Sequence, residues 1–512
     1  MPLPLSYPGV YVEEVPSGVR TIAGVATSIG LFIGWARRGS TEKAVRIFSF
    51  ADFAREYGEL DTDSLLGYAV RHFFDNGGSD AYVIRIAKLP GEGVTDAAVP
   101  ATASNGDLEI TATSPGEWAH EYAVRITHRT DGTGADAALI NDRFKLEVTL
   151  GAEDDSPVVE SFENLSNDPD DPRFVDTAVS GRSRIITVEA GAAMPTDDTV
   201  ELGDGDEGSD GAVLTPAGAT AGDFETALEA LFADGGIADT LDLFNIVCVP
   251  GETNATTIQT LVAKVARKRA FLVVDSPEEA TFEEMSSAVA GYIGGDASYS
   301  AIYYPWVRAP DPRKQGAVRA FPPCGYVAGI MARTDSRRGV WKAPAGTDAA
   351  LVGIVGFDET INDSRNGVLN LKAVNCLRTL PVYGNVVWGS RTLEGDNNRG
   401  SEWKYVPVRR MALFLEESLY RGTQWVVFEP NDEPLWSQIR LNIGAFMQTL
   451  FRQGAFQGAT PREAYFVKCD RTTTTQTDIN MGIVNIHVGF APLKPAEFVV
   501  IRIQQIAGDI PT

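Results

Sequence analysis

Asp275 closes the apolar run Phe271–Val274, and an acid at the end of a buried strand is where α/β enzymes often place a functional group. A lone carboxylate needs a His or Lys partner to move protons. Asp275-Ser276-Pro277 supplies neither, so a capping or loop role is the better reading. The histidines are His72, His120, His128 and His487, which leaves the stretch from Arg129 to Ile486 without one. A Ser-His-Asp hydrolase on the central region would have to borrow its base from elsewhere. G-x-S-x-G, H-E-x-x-H and G-x-x-x-x-G-K-[ST] do not occur. Gly203-Asp204-Gly205-Asp206-Glu207-Gly208 does satisfy G-x-G-x-x-G, but its three carboxylates would repel a pyrophosphate, and no strand before it or helix after it is expected. The same acids miss the spacing of a calcium-binding loop, so a solvated loop is expected. Cys248, Cys324, Cys376 and Cys469 show no C-x-x-C spacing and read as reduced thiols, three of them in apolar contexts. No catalytic residue, cofactor or metal site is expected.

The charge distribution separates one part of the chain from the rest. Of 69 acidic residues, 29 lie between 91 and 225 against seven basic ones, while the remainder, with 40 acidic and 37 basic residues, is close to neutral. Acidity confined to one block marks a separate surface module. With no basic stripe to displace counterions, nucleic acid is excluded as a partner. The earliest charges are Glu13 and Glu14, unlike the basic start of a signal peptide, and no apolar run approaches the length of a bilayer span. A cytoplasmic product without membrane insertion is the expectation.

These groups must be positioned by several domains, since 512 residues suffice for roughly three or four. Ile29–Gly34 reads as a buried strand, helices follow over Phe50–Tyr57 and Ser64–Phe74, Asn76-Gly77-Gly78 stops the second, and Ala81–Ile86 returns as a strand. From about Pro90 the texture changes to short strands, Tyr122–Thr127, Phe144–Leu150 and Arg184–Glu189, between Asp/Gly/Ser/Pro-rich loops. Strand–helix alternation then resumes: Leu243–Val249, a helix from Asn254 to Arg267, Phe271–Val274, a helix near Thr281–Tyr292, and Ala301–Tyr304. That alternation predicts a parallel sheet flanked by helices. The fold class expected is α/β and α+β multidomain. An N-terminal arm spans 1–24, a split α/β domain 25–90 plus 223–366, an acidic β-rich insertion 91–222, an α+β C-terminal domain 367–492, and a C-terminal arm 493–512.

In the C-terminal region, Val408–Arg421 reads as a helix stopped by Gly422, with Glu417 and Arg421 paired at i, i+4. A second helix follows Asn431 as N-cap, tolerates Pro434 in its first turn, and lays Trp436, Ile439, Ile443, Met447 and Leu450 along one buried face. Arg440, Gln448 and Arg452 fall on another face.

Both arms read as β-strands. Val10, Tyr11, Val12 and Glu13 belong to the alternating run Tyr7–Val15, while Phe498, Val499, Val500, Ile501 and Ile503 belong to the β-branched run Glu497–Ile506. Prolines 8, 16, 492 and 495 set the two runs apart. A tethered strand carries unsatisfied backbone groups, and its remedy is an exposed sheet edge on its own fold or on a neighbouring copy. Having one at each end favours exchange between subunits, and so a polymer.

Several segments then match a known pattern. Tyr7–Glu14, Arg338–Gly346, Val387–Leu393, Gly422–Asn431, Phe466–Asp470 and Ala491–Phe498 resemble the tail sheath proteins of contractile phages and bacterial contractile injection systems. Ser390 stands where Ala is usual, and Asn375-Cys376-Leu377-Arg378 only approximates the usual Asn-x-Ile-Arg. The resemblance implies a non-enzymatic structural subunit that stacks as six-fold rings into a helical sheath around an inner tube and contracts to drive the tube through a target envelope. It further implies arms that add strands to neighbouring C-terminal domains, tube contact through Arg440, Gln448 and Arg452, an outward-facing acidic module, and baseplate and terminal cap proteins as partners. The parent would be a virion or a phage-tail-like particle. The alternatives are an α/β hydrolase-type enzyme and a non-contractile shell or surface-layer protein.

Overall fold

A computed structural model describes residues 20–91, 93–131, 138–218 and 221–502. They belong to two compact units: one of 27–337 with 344–406, the other of the chain before Thr27, residues 338–343 and the chain from Pro407 onward.

The first unit opens with β1 (Gly30–Trp35), β2 (Val45–Ile47), α1 (Phe50–Tyr57), α2 (Leu65–Asp75) and β3 (Ala81–Ile86). Ser49 and Ser64 start the two helices by accepting Asp52 N and Leu66 N. At the end of α2, Gly77 takes φ +112°, a conformation that favours glycine.

Next come β4 (Thr102–Asn105), β5 (Leu108–Ala112), β6 (Tyr122–Asp131), β7 (Ala138–Leu150), β8 (Val158–Leu165), α3 (Val175–Val179), β9 (Ile186–Ala190) and β10 (Asp198–Glu201). They build an antiparallel sheet in the order β4-β5-β9 and another in the order β10-β6-β7-β8. Leu108, Ile110 and Ala112 are buried while Glu109 is exposed, the period-two pattern of a half-buried strand. The stretch from Ala101 to Leu202 has a hydrophobic core of its own.

Alternation then resumes with α4 (Asp223–Leu231), α5 (Ile237–Thr240), β11 (Ile246–Cys248), α6 (Ala255–Arg267), β12 (Phe271–Asp275), α7 (Phe282–Ala288) and β13 (Ser300–Tyr304). β14 (Val307–Asp311), β15 (Ala317–Phe321), α8 (Cys324–Arg338), β16 (Gly356–Phe357), α9 (Asp363–Leu371), β17 (Val374–Leu380) and β18 (Gly384–Val387) follow. The main sheet runs β18-β17-β13-β12-β11-β1-β3-β2. Its six inner strands are parallel, and β18 and β2 close the two edges antiparallel. β1 lies between β3 and β11, with Gly30 opposite both Ala81 and Ile246, so strands from before and after the acidic block share one sheet.

One sequence expectation changes here. The boundary expected at 367 fails, because β17 pairs in parallel with β13 and extends the main sheet. Sequence reasoning made no assignment for α8, which carries no amphipathic signal: its first nine residues are all buried. Gly325 and Gly329 let it approach α2, since a Cβ at either would come within 2.5 Å of the backbone carbonyls of Ala69 or Phe73.

The second unit contains α10 (Val406–Thr423), α11 (Glu433–Arg452), α12 (Pro461–Ala464), β19 (Tyr465–Lys468), α13 (Gln476–Asn480) and β20 (His487–Phe490). The expected stripe of α11 is buried, with Trp436, Ile439, Ile443, Met447 and Leu450 all in the core. Its N-cap is Asp432, which accepts Leu435 N at 3.1 Å, rather than Asn431. Asn431 instead accepts the indole N–H of Trp436 at 2.9 Å. Gly422 is no helix stop, for α10 continues through it to Thr423. Arg421 does pair with Glu417, at 2.6 Å.

Residues 20–24, expected in the N-terminal arm, pack within this unit. Arg20 N donates to Asn442 Oδ1 at 3.2 Å, the Arg20 guanidinium lies 4.7 Å from the Trp425 ring centroid, and Ile22 is buried. An apolar anchor at Ile22 outweighs exposure of the segment.

Candidate assembly surface

β19 and β20 pair antiparallel, Tyr465 opposite Phe490 and Lys468 opposite His487. Among the described residues no third strand joins them. A two-stranded sheet is marginal by itself and leaves two edges whose N–H and C=O groups seek partners. Tyr465 and Val467 point to the core of the unit, whereas Phe466 is exposed and its ring covers Gly489.

The chain then runs past Pro492 and Pro495 into the expected strand Glu497–Ile506. Its described part adopts no strand, and Phe498, Val499, Val500 and Ile501 are 71–80% exposed. Four consecutive large apolar side chains left in water form an exposed apolar patch. Val10, Tyr11, Val12, Glu13 and Ile503 lie outside the described residues.

On α11 the three polar candidates differ. Arg440 donates to the Cys469 carbonyl and pairs with Glu433 at 2.7 Å, and Gln448 accepts the Tyr465 hydroxyl at 2.9 Å. Arg452 is exposed in the last turn. The helix thus uses Arg440 and Gln448 to fix its own neighbours.

Phe428 was not singled out by sequence reasoning. It is fully exposed in the loop between α10 and α11, with φ +70°. A bulky residue in the left-handed region is strained, and exposure returns nothing for the strain. Val427 beside it is also exposed. Their apolar run carries no periodicity that would separate it from an ordinary strand.

The residues with chemical promise are occupied structurally. Asp275 is buried, with Oδ1 accepting Cys324 N at 2.8 Å and Oδ2 accepting Gly251 N at 3.0 Å. Burial pushes its carboxyl up to about 6, against the lowering effect of those N–H groups. It ties together the ends of β12, the turn after β11 and the start of α8. The thiol of Cys324 is also raised by burial, and all four cysteines are free and buried. His72 stacks on Tyr326 at 4.0 Å, and burial lowers it to about 3. In the glycine-rich loop, Gly203 N and Gly205 N both donate to Thr102 O, and Asp206 N donates to Thr102 Oγ1. Those donors are unavailable to a phosphate. A strand, β10, does end just before the loop, contrary to expectation, but it belongs to an antiparallel sheet. Among the described residues, no group of three His, Cys, Asp or Glu side chains is placed to hold a metal ion, and no helix is long and apolar enough to cross a membrane.

Comparison with known proteins decides the family. Residues 217–393 match the phage tail sheath protein central domain and 398–506 the phage tail sheath C-terminal domain. The chain belongs to the phage tail sheath protein family. This sheath protein is 26% identical over 330 residues to a prophage major tail sheath protein of Pseudomonas aeruginosa, covering 62% of this chain and 77% of that one. It is 23% identical over 294 residues to the tail sheath protein of Enterobacteria phage T4, covering 53% and 42%. Its fold is shared with the PVC sheath complex of an extracellular contractile injection system in the contracted state, with a TM-score of 0.61, 24% identity and 98% of each chain covered. A sheath tail protein of Listeria innocua gives 0.60 at 12% identity, covering 92% of this chain and 96% of that one. The sheath family's role is structural, and the same resemblance had been visible in Gly422–Asn431 and Ala491–Phe498.

Proposed function

We propose that this sheath protein polymerises as stacked six-fold rings around an inner tube, and contracts to drive that tube through a target envelope. The observation that carries the reading is the pairing of two incomplete elements in one chain: the exposed run Phe498–Ile501 and the two-stranded sheet β19–β20. Each lacks what the other offers. Among the described residues the run pairs with no strand, so the strand is supplied to a neighbouring copy, and residues 1–19 supply a second one. Each backbone hydrogen bond so formed contributes about 1 kcal/mol net, small per subunit and large across a polymer.

Pro492 and Pro495 flank the C-terminal run, and the tethers stay paired while the folded bodies rotate and repack. Contraction then draws on an extended state primed at assembly, with no nucleotide. The α11 face carrying Arg440, Gln448 and Arg452 turns toward an acidic inner tube, and Arg452 is its exposed cation. The acidic module faces outward, where like charge keeps sheaths apart. The particle is a phage tail or a prophage-like contractile device, assembled in the bacterial cytoplasm on a baseplate and closed by a cap.

The test is deletion of residues 496–512, alongside the point variants Val499→Asp and Ile501→Asp. The purified subunits should keep wild-type circular dichroism and thermal unfolding yet form no striated tubes by negative-stain microscopy. Normal tubes from the deletion would overturn the strand exchange, and ester or peptide hydrolysis by the intact protein would favour the enzymatic alternative.

A further inference from the structure

Two buried carboxyl groups outside the assembly surface remain unexplained. Glu225, in the first turn of α4, is 1% exposed, and Glu252, in the turn after β11, is 2% exposed. Glu225 accepts Ala217 N through Oε1 and Gly222 N through Oε2, both at 2.6 Å. It therefore holds the segment by which the chain leaves the acidic block and enters α4. Glu252 accepts Asn254 N through Oε1 at 2.6 Å, while its Oε2 is buried without a hydrogen-bond partner. The side chain of Glu225 faces that of Glu252 within hydrogen-bonding reach.

Two carboxylates cannot share a dry site, but a carboxylic acid and a carboxylate can, through one proton. Glu225 must remain the acceptor because both of its oxygens already receive N–H groups. The proton therefore sits on Glu252 Oε2, the atom that is otherwise orphaned.

We propose that Glu225 and Glu252 form a proton-shared latch that fastens the exit of the acidic module to the turn after β11, and that loss of the shared proton releases it.

The surroundings agree. Tyr292, on the turn after α7, faces Glu252 and donates its hydroxyl to Thr253 O at 3.0 Å. Asp275, on β12, reaches the same turn through Gly251 N. On α4, Asp223 pairs with Lys88 at 3.2 Å, with Asp223 well exposed. Burial first, then the charge of Glu225, pushes Glu252 up to about 7. A carboxyl raised in the folded state stabilises that state while protonated, so the latch is closed below neutrality and opens as pH rises through about 7.

Hydrogen exchange on the full-length soluble subunit tests this, read at the amides of residues 213–231 and corrected for intrinsic exchange. Between about pH 6 and pH 8 the wild type should lose roughly tenfold or more of its protection there, while protection in β12 and β13 stays level. Glu252→Gln supplies an N–H donor without a titration, so its protection should stay high and flat across the same range. Infrared difference spectra give a second readout: a protonated-carboxyl band present near pH 6 in the wild type should be missing in the variant. A flat wild-type profile, or a Glu252→Gln profile that still falls with pH, would overturn the latch. Should the variant not fold, absence of a titrating protonated-carboxyl band from the wild type would do so alone.

Discussion

Ile22 packs directly onto the backbone of Gly422: a Cβ at residue 422 would meet Ile22 Cγ2 at 2.6 Å. Residue 422 lies inside α10, where alanine would ordinarily stabilise a helix by about 1 kcal/mol over glycine. Here overpacking should reverse the sign, and Gly422→Ala should destabilise by roughly 1–2 kcal/mol. Ile22→Ala removes the obstruction at the expense of a core side chain, roughly 2–4 kcal/mol. In that background Gly422→Ala should become stabilising. A double-mutant cycle by urea unfolding measures the inversion, and additive effects would show that the two residues do not compete for space.

Phe428→Gly should raise stability while harming assembly. Relief of a left-handed φ is worth about 1–2 kcal/mol, partly offset by the freedom of glycine in the unfolded chain, and no buried surface is lost because Phe428 is fully exposed. A higher melting temperature with poorer tube formation is the expected pair of results. Unchanged assembly would mean that the strain serves no contact.

Charge reversal separates the two arginines of α11. Arg452→Glu touches an exposed side chain and should leave stability within about 0.5 kcal/mol, yet block loading of the sheath onto inner tubes. Arg440→Glu removes the pairing with Glu433 and the donation to Cys469 O, so a loss of roughly 1–3 kcal/mol is expected first. Thermal unfolding and co-assembly with tube protein distinguish folding from recognition. Full loading by Arg452→Glu would remove it from the tube contact.

Asp275 gives the main sheet a pH dependence that can be isolated with Asp275→Asn. Its carboxyl lies at about 6 when folded, against 3.8 for an unperturbed one. The folded state therefore holds the proton more tightly, and this contribution is full below about pH 4 and lost as pH rises through about 6. Stability of the wild type relative to Asp275→Asn should fall by a few kcal/mol across that window and then level off. His72, lowered to about 3, contributes in the opposite direction in both proteins and cancels in the comparison. A constant difference between the two unfolding profiles would contradict the assignment.

The sequence by itself determined the elements that local chemistry dictates: the helix Phe50–Tyr57, the strand Ala81–Ile86, the helix up to Arg267 and the buried stripe of α11, because periodicity and capping act over a few residues. It also marked Phe498–Ile501 as an apolar run with strand character and no obvious partner. Only the tertiary structure decided that β17 joins the main sheet, that Ile22 anchors residues 20–24 while Gly422 makes room for it, and that the first nine residues of α8 are all buried. Each of these depends on a contact between residues far apart in sequence, whose energy comes from shared buried surface and close approach rather than from local pattern. The burial of Glu225 and Glu252 belongs with them: nothing in the local sequence sets either apart from an exposed acid, and only the folded chain takes each out of water.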